Sequence, residues 1–114
     1  MATETIFISK QANGTGLHLS DNEGHSGDGT ITTIVGQGDT VIWKLVPDGG
    51  ITAITNIYPK PGSENIFSAN PSKQTDGRWQ GTVANPVLGS ESYSIDYTIG
   101  EDSYTDDPEF EVRD

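Results

Sequence analysis

The sequence predicts an all-β chain, a two-sheet antiparallel Greek-key β-sandwich of about 7–9 strands. Three observations carry this. From Glu91 to Ile99 the residues alternate strictly, with Tyr93, Ile95, Tyr97 and Ile99 on one side and Ser92, Ser94, Asp96 and Thr98 on the other. A period of two sets one face on a core and the other in water. The remaining apolar residues fall in short β-branched and aromatic runs, separated by 14 glycines and 6 prolines. Turns therefore recur too often for long helices. Finally, no segment sustains the helical period near 3.6. The 114 residues read as one domain, 1–114. A chain of this size buries roughly 65% of its unfolded surface, enough for one core.

The elements follow in order. Thr5 to Lys10 reads as a first strand, and Asn13-Gly14-Thr15-Gly16 as a turn. Leu17 to Leu19 is a short extended piece, followed by a polar loop from Ser20 to Gly29. Thr30 to Val35 is β-prone throughout. Gly36-Gln37-Gly38-Asp39 turns the chain into a strand from Thr40 to Val46, and Pro47-Asp48-Gly49-Gly50 turns it out again. Ile51 to Tyr58 is a strand ended by Pro59, Pro61 and Gly62. A short edge strand is expected at Asn65 to Ala69, then a polar connection from Asn70 to Gly77. Arg78 to Val83 is a strand centred on Trp79. After Pro86 and Gly89 comes the alternating strand to Ile99. Glu109 to Arg113 sets Phe110 and Val112 between charges, the pattern expected of an edge strand protected from edge-to-edge pairing.

Charge and cysteine count narrow the function. A net charge of −11 repels phosphate backbones and anionic lipid, so neither nucleic acid nor a membrane surface is an expected partner. No apolar run approaches the ~20 residues of a membrane-spanning helix. The absence of cysteine excludes disulfides, thiolate metal sites and cysteine nucleophiles. The first residues, from Met1, show no basic segment followed by an apolar one, so no signal peptide is visible and the compartment stays open.

The run Ile34-Val35-Gly36-Gln37-Gly38-Asp39-Thr40-Val41-Ile42-Trp43 resembles the core-strand entry of cupredoxins, in which a glycine-aspartate turn leads into a Val-x-Trp or Val-x-Phe strand. The resemblance covers about a tenth of the chain and is shared with immunoglobulin-like sandwiches. It implies a Greek-key sandwich. It does not extend to blue copper, whose site uses two histidines, a cysteine and usually a methionine. Here cysteine is absent, the one methionine is Met1, and His18 and His25 precede the strand that the family's ligands follow.

Two acidic clusters are candidate sites. Asp21, Glu23 and Asp28, with Asn22 and flexible glycines between them, form an oxygen-rich loop of the kind calcium uses. The spacing departs from a calcium loop at position 32, which is Thr where a glutamate is expected. Glu101, Asp102, Asp106 and Asp107 form a second cluster that solvent or a cation must screen. Among the aromatic residues, Trp43 is expected in the core. Trp79, flanked by polar residues, is a candidate ligand platform with Tyr58 or Tyr104.

No nucleophile elbow, phosphate-binding loop or dinucleotide fingerprint is present. The expected function is a non-catalytic binding or assembly module, its partner a protein or its own copies. The alternatives are a calcium-assisted carbohydrate-binding module and a hydrolase of unknown type. Calcium is the one cofactor considered.

Overall fold

Alternation of apolar and polar residues becomes two facing sheets in the computed structural model, which describes residues 3–62, 66–83 and 89–113. The strands are β1 (Thr3–Lys10), β2 (Leu17–Asp21), β3 (Ser26–Asp28), β4 (Thr32–Gly36), β5 (Thr40–Leu45), β6 (Ala53–Pro59), β7 (Phe67–Lys73), β8 (Trp79–Val83), β9 (Gly89–Ile99), β10 (Asp102–Asp106) and β11 (Glu109–Arg113). One sheet has six strands in the order β3-β2-β1-β5-β8-β7. The other has five: β9 pairs along its length with β10, β11 and β6, and β4 lies beyond β11.

The sandwich is all-β as expected, with most pairs antiparallel. Two pairs are parallel, β1 with β5 and β4 with β11. Each joins strands distant in sequence, which alternation within a strand does not reveal. The eleven strands exceed the expected number for two reasons. β3 is a three-residue pairing inside the polar loop, and β10 is built from the second acidic cluster. β7 runs on through Pro71 to Lys73, beyond the expected end at Ala69. Proline is tolerated there because β7 ends its sheet, and its pairing with β8 shifts register on both sides of Ala69. Asn65, Pro86 and Met1 lie outside the described residues.

The edge expectation for Glu109 to Arg113 is corrected. β11 is an interior strand, between β9 and β4. Its alternating charges reflect a half-buried face, with Phe110 and Val112 in the core. The strand at the end of that sheet is β4. Two of its N–H groups are taken by carboxylates: Ile34 donates to Glu23 Oε1 and Gly36 to Asp39 Oδ2, at 2.9 and 2.8 Å. Side chains thus occupy part of an edge that would otherwise offer open donors to another strand.

The Gly38-Asp39 turn serves the fold as the sequence suggests. Gly38 has φ of 81°, a left-handed conformation that favours glycine, and the chain enters β5 directly after it. β5 then delivers Val41 and Trp43 to the interior. Trp43 meets Phe67, Tyr93 and Phe110 edge-on, with ring centroids 5.7 to 6.1 Å apart, while Tyr93 and Phe110 stack at 4.5 Å. Its indole N–H donates to the Tyr93 hydroxyl at 3.1 Å, satisfying both buried polar atoms. Tyr93, Ile95 and Tyr97 face inward as their alternation predicts. Ser94, expected in solvent, is buried and donates to Asp107 at 2.7 Å.

Candidate functional site

Four inward-facing rows continue into polar residues. In β1, Glu4 is in phase with Ile6 and Ile8; in β2, Asp21 is in phase with Leu17 and Leu19. Thr33 lies between Ile31 and Val35 in the β4 row, and Asp39 precedes Val41 and Trp43. All four polar side chains are buried. Together with Glu23 and His25 from the β2–β3 turn, they form a polar seam between β1–β2 and β4.

Asp21 organises the seam. Its Oδ1 accepts the backbone N–H groups of Glu23 and His25, both at 2.9 Å. Its Oδ2 accepts the Thr33 hydroxyl at 2.8 Å and lies 2.9 Å from His25 Nδ1. One carboxylate therefore folds the turn over itself and ties it to the facing sheet. Glu23 Oε1 lies 3.4 Å from the same His25 nitrogen while accepting from Ile34. Beside the turn runs an open groove of about 540 Å³, lined among others by His25, Ser26, Thr30, Ile31, Ile34 and Glu111.

The electrostatics follow from burial and from crowding of acids. Burial pushes the Glu4 carboxyl up to about 7, and the adjacent Glu23 carboxyl and the charges of Asp39 and Asp21 push it the same way. Burial also acts to raise Asp21, but the hydrogen bonds it accepts from His25, Thr33 and the Glu23 backbone outweigh it, so Asp21 lies below the usual carboxylate range. The hydrogen bond and the charge of Asp21 raise His25 above its ordinary value.

The structure brings Asp21 and Glu23 together and separates Asp28 from them. Asp28 pairs instead with His18 across β2 and β3, Oδ1 to Nδ1 at 2.8 Å, with both side chains largely exposed. Its place beside Asp21 and Glu23 is taken by His25; donor atoms of Asp21, Glu23 and His25 all lie within 4.8 Å of one another. Glu4 was missed because it stands in a polar stretch at the chain start. The usable signal was phase: Glu4, Asp21 and Thr33 each fall where their strand places apolar residues.

The second acidic cluster disperses. Asp106 accepts the Leu17 N–H at 2.8 Å and the Tyr97 hydroxyl at 3.3 Å, tying β10 to β2. Asp107 holds Ser94 and lies 3.4 Å from Lys60, while Glu101 and Asp102 are exposed. The aromatic platform is not assembled, and that expectation is corrected. Trp79 is buried in the six-stranded sheet, so its ring has no face to offer a sugar. Tyr58 lies on β6, where its hydroxyl donates to Asp96, and Tyr104 stacks on Tyr97 at 5.6 Å.

No family model and no curated protein matches the chain. Among solved structures it is similar to the crystal structure of the cysteine protease inhibitor EhICP2 from Entamoeba histolytica. The identity is 13% and the TM-score 0.46, over 99% of this chain and 97% of that one. No residue role is taken from a likeness of that size. Of the resemblance read in the sequence, the two sheets bear out the β-sandwich and not the likeness to copper proteins.

Proposed function

We propose that this chain is a non-catalytic module that binds another protein through the outer face of its six-stranded sheet. One observation carries the reading. Among the described residues the exposed large hydrophobic side chains are Phe7 and Val46, at 36% and 38% exposure. Phe7 of β1 is in register with Lys44 of β5, and Val46, the residue after β5, donates its N–H to the Ile8 carbonyl at the end of that pairing. Phe7, Lys44 and Val46 therefore form one apolar patch with a cation in it, on a protein of net charge −11. Aromatic and aliphatic anchors of this kind carry most of the affinity at protein interfaces. A second copy would bring the same negative charge and be repelled, so the charge favours a different, less acidic partner.

A photo-crosslinking residue placed at Phe7 tests this in the source organism's extract. The expected product is a crosslink to one protein of a different sequence, lost when Val46→Asp is added. Crosslinks only between copies of this chain would replace the partner with self-assembly. A crosslinking pattern indifferent to Val46→Asp would remove the patch from consideration. Cysteine proteases belong in a parallel inhibition panel because EhICP2 is an inhibitor of one.

A further inference from the structure

We propose that the seam is a binding site for a divalent transition-metal ion of the zinc or manganese type, held by Asp21, Glu23 and His25 with the buried Glu4 carboxyl beside them. His25 Nδ1 lies 2.9 Å from Asp21 Oδ2 and 3.4 Å from Glu23 Oε1. Ligands about 2 Å from a tetrahedral zinc ion sit roughly 3.3 Å from one another. His25 Nδ1 thus already stands at the separation of adjacent metal ligands from both carboxylate oxygens, and all three donors lie within 4.8 Å of one another. An ion among them takes the place of the proton that Nδ1 shares with the carboxylates.

Glu4 supplies the independent observation. It is 8% exposed, and its Oε2 is buried with no hydrogen-bond partner. A buried, unpartnered carboxylate oxygen is costly unless something compensates it. Its carboxyl neighbours that of Glu23, with the charges of Asp39 and Asp21 acting on it. Two neighbouring carboxyl groups, one of them buried, favour a proton or a cation between them. A bound ion would offset the charge of this carboxyl, while Asp21, Glu23 and His25 serve as ligands and the open groove leaves the remaining positions to solvent.

The donor set selects the ion. Calcium takes oxygen ligands only, and its expected ligand Asp28 is engaged with His18. Two carboxylates and one imidazole suit zinc or manganese. The ion has a way in, because His25 lines the open groove beside β4. The remaining Asp21 oxygen holds the turn through two backbone N–H groups, so it fixes the orientation of the ligand oxygen before any metal arrives.

The test is isothermal titration of the whole chain, freed of metal by chelator, with Zn²⁺, Mn²⁺ and Ca²⁺, alongside melting curves. The expected result is one Zn²⁺ or Mn²⁺ ion bound with proton release and a higher melting temperature, with Ca²⁺ at least tenfold weaker. His25→Gln and Glu4→Gln should each weaken binding at least tenfold while their metal-free melts remain cooperative. His18→Gln is the control, since it removes the protein's other histidine without touching the seam. No binding of either ion to the wild type overturns the proposal. So does binding unchanged in Glu4→Gln, or binding lost in His18→Gln and kept in His25→Gln.

Discussion

His18 with Asp28 and His25 with Asp21 are the same two side chains at nearly the same distance, 2.8 and 2.9 Å. Their surroundings differ. Asp28 is 65% exposed and pairs across an exposed strand of three residues. The Asp21 side chain has no exposure and also accepts two backbone N–H groups and the Thr33 hydroxyl. Water competes for the first pair and is kept from much of the second. An exposed ion pair contributes little to stability, whereas removing one partner of a buried network leaves others unsatisfied. The comparison therefore predicts a large asymmetry between substitutions that look alike on paper.

The largest effect is expected at Asp21. Asp21→Ala strands two backbone donors and the Thr33 hydroxyl, and should lower unfolding stability by about 3 kcal/mol in denaturant titrations. A loss no greater than that of Asp28→Ala would erase the distinction between the pairs.

A smaller effect is expected at His25, and its sign is set by linkage. Asp21 raises the folded-state value of His25 above the ordinary 6.5. The protonated ring therefore contributes stability fully below about 6.5, and this contribution is lost as pH rises through the folded value. Melting temperatures of the Glu4→Gln chain and of the same chain with His25→Gln added, both in chelator, should show the step only in the chain that keeps His25. Parallel curves from pH 5 to 9 would mean that the Asp21–His25 contact does not couple to folding.

The smallest effect belongs to the exposed pair. Asp28→Ala should change stability by less than about 0.5 kcal/mol, an effect largely removed by salt. Phe7→Asp should likewise leave the metal-free melt close to wild type, because Phe7 lies outside the core. A cooperative melt would let any loss of partner binding be read as an interface effect.

Much of the fold was legible because burial writes itself into sequence as alternation. Tyr93, Ile95 and Tyr97 announce an inward face, and Val41 and Trp43 follow a glycine turn that admits one direction. What alternation does not encode is which strands meet. The parallel pairing of β1 with β5 and of β4 with β11 depends on the closure of the whole sandwich. For the same reason β11 looked like an edge when β4 is one. The site was half legible. Asp21 and Glu23 share one turn and were visible together, and Asp28 looked equivalent because sequence distance does not show on which side of a strand pair a carboxylate falls. Glu4 and Thr33 reach the seam from other strands, 17 and 12 residues from Asp21 along the chain.

Buried carboxyl groups meet in this seam, and Glu4 is the best reporter of them. Its folded value is raised to about 7 from an ordinary 4.5. The folded state therefore holds a proton that the unfolded chain gives up, and stability falls as pH rises between those values. Glu4→Gln has no proton to lose. Denaturant unfolding of both chains in chelator, at pH 5 and pH 8, reads the difference. Glu4→Gln is expected to exceed wild type by about 2 kcal/mol at pH 8, with most of that gap closed at pH 5. Equal stability at both values, or a gap that does not change with pH, would contradict a buried carboxyl group set against its neighbours' charges.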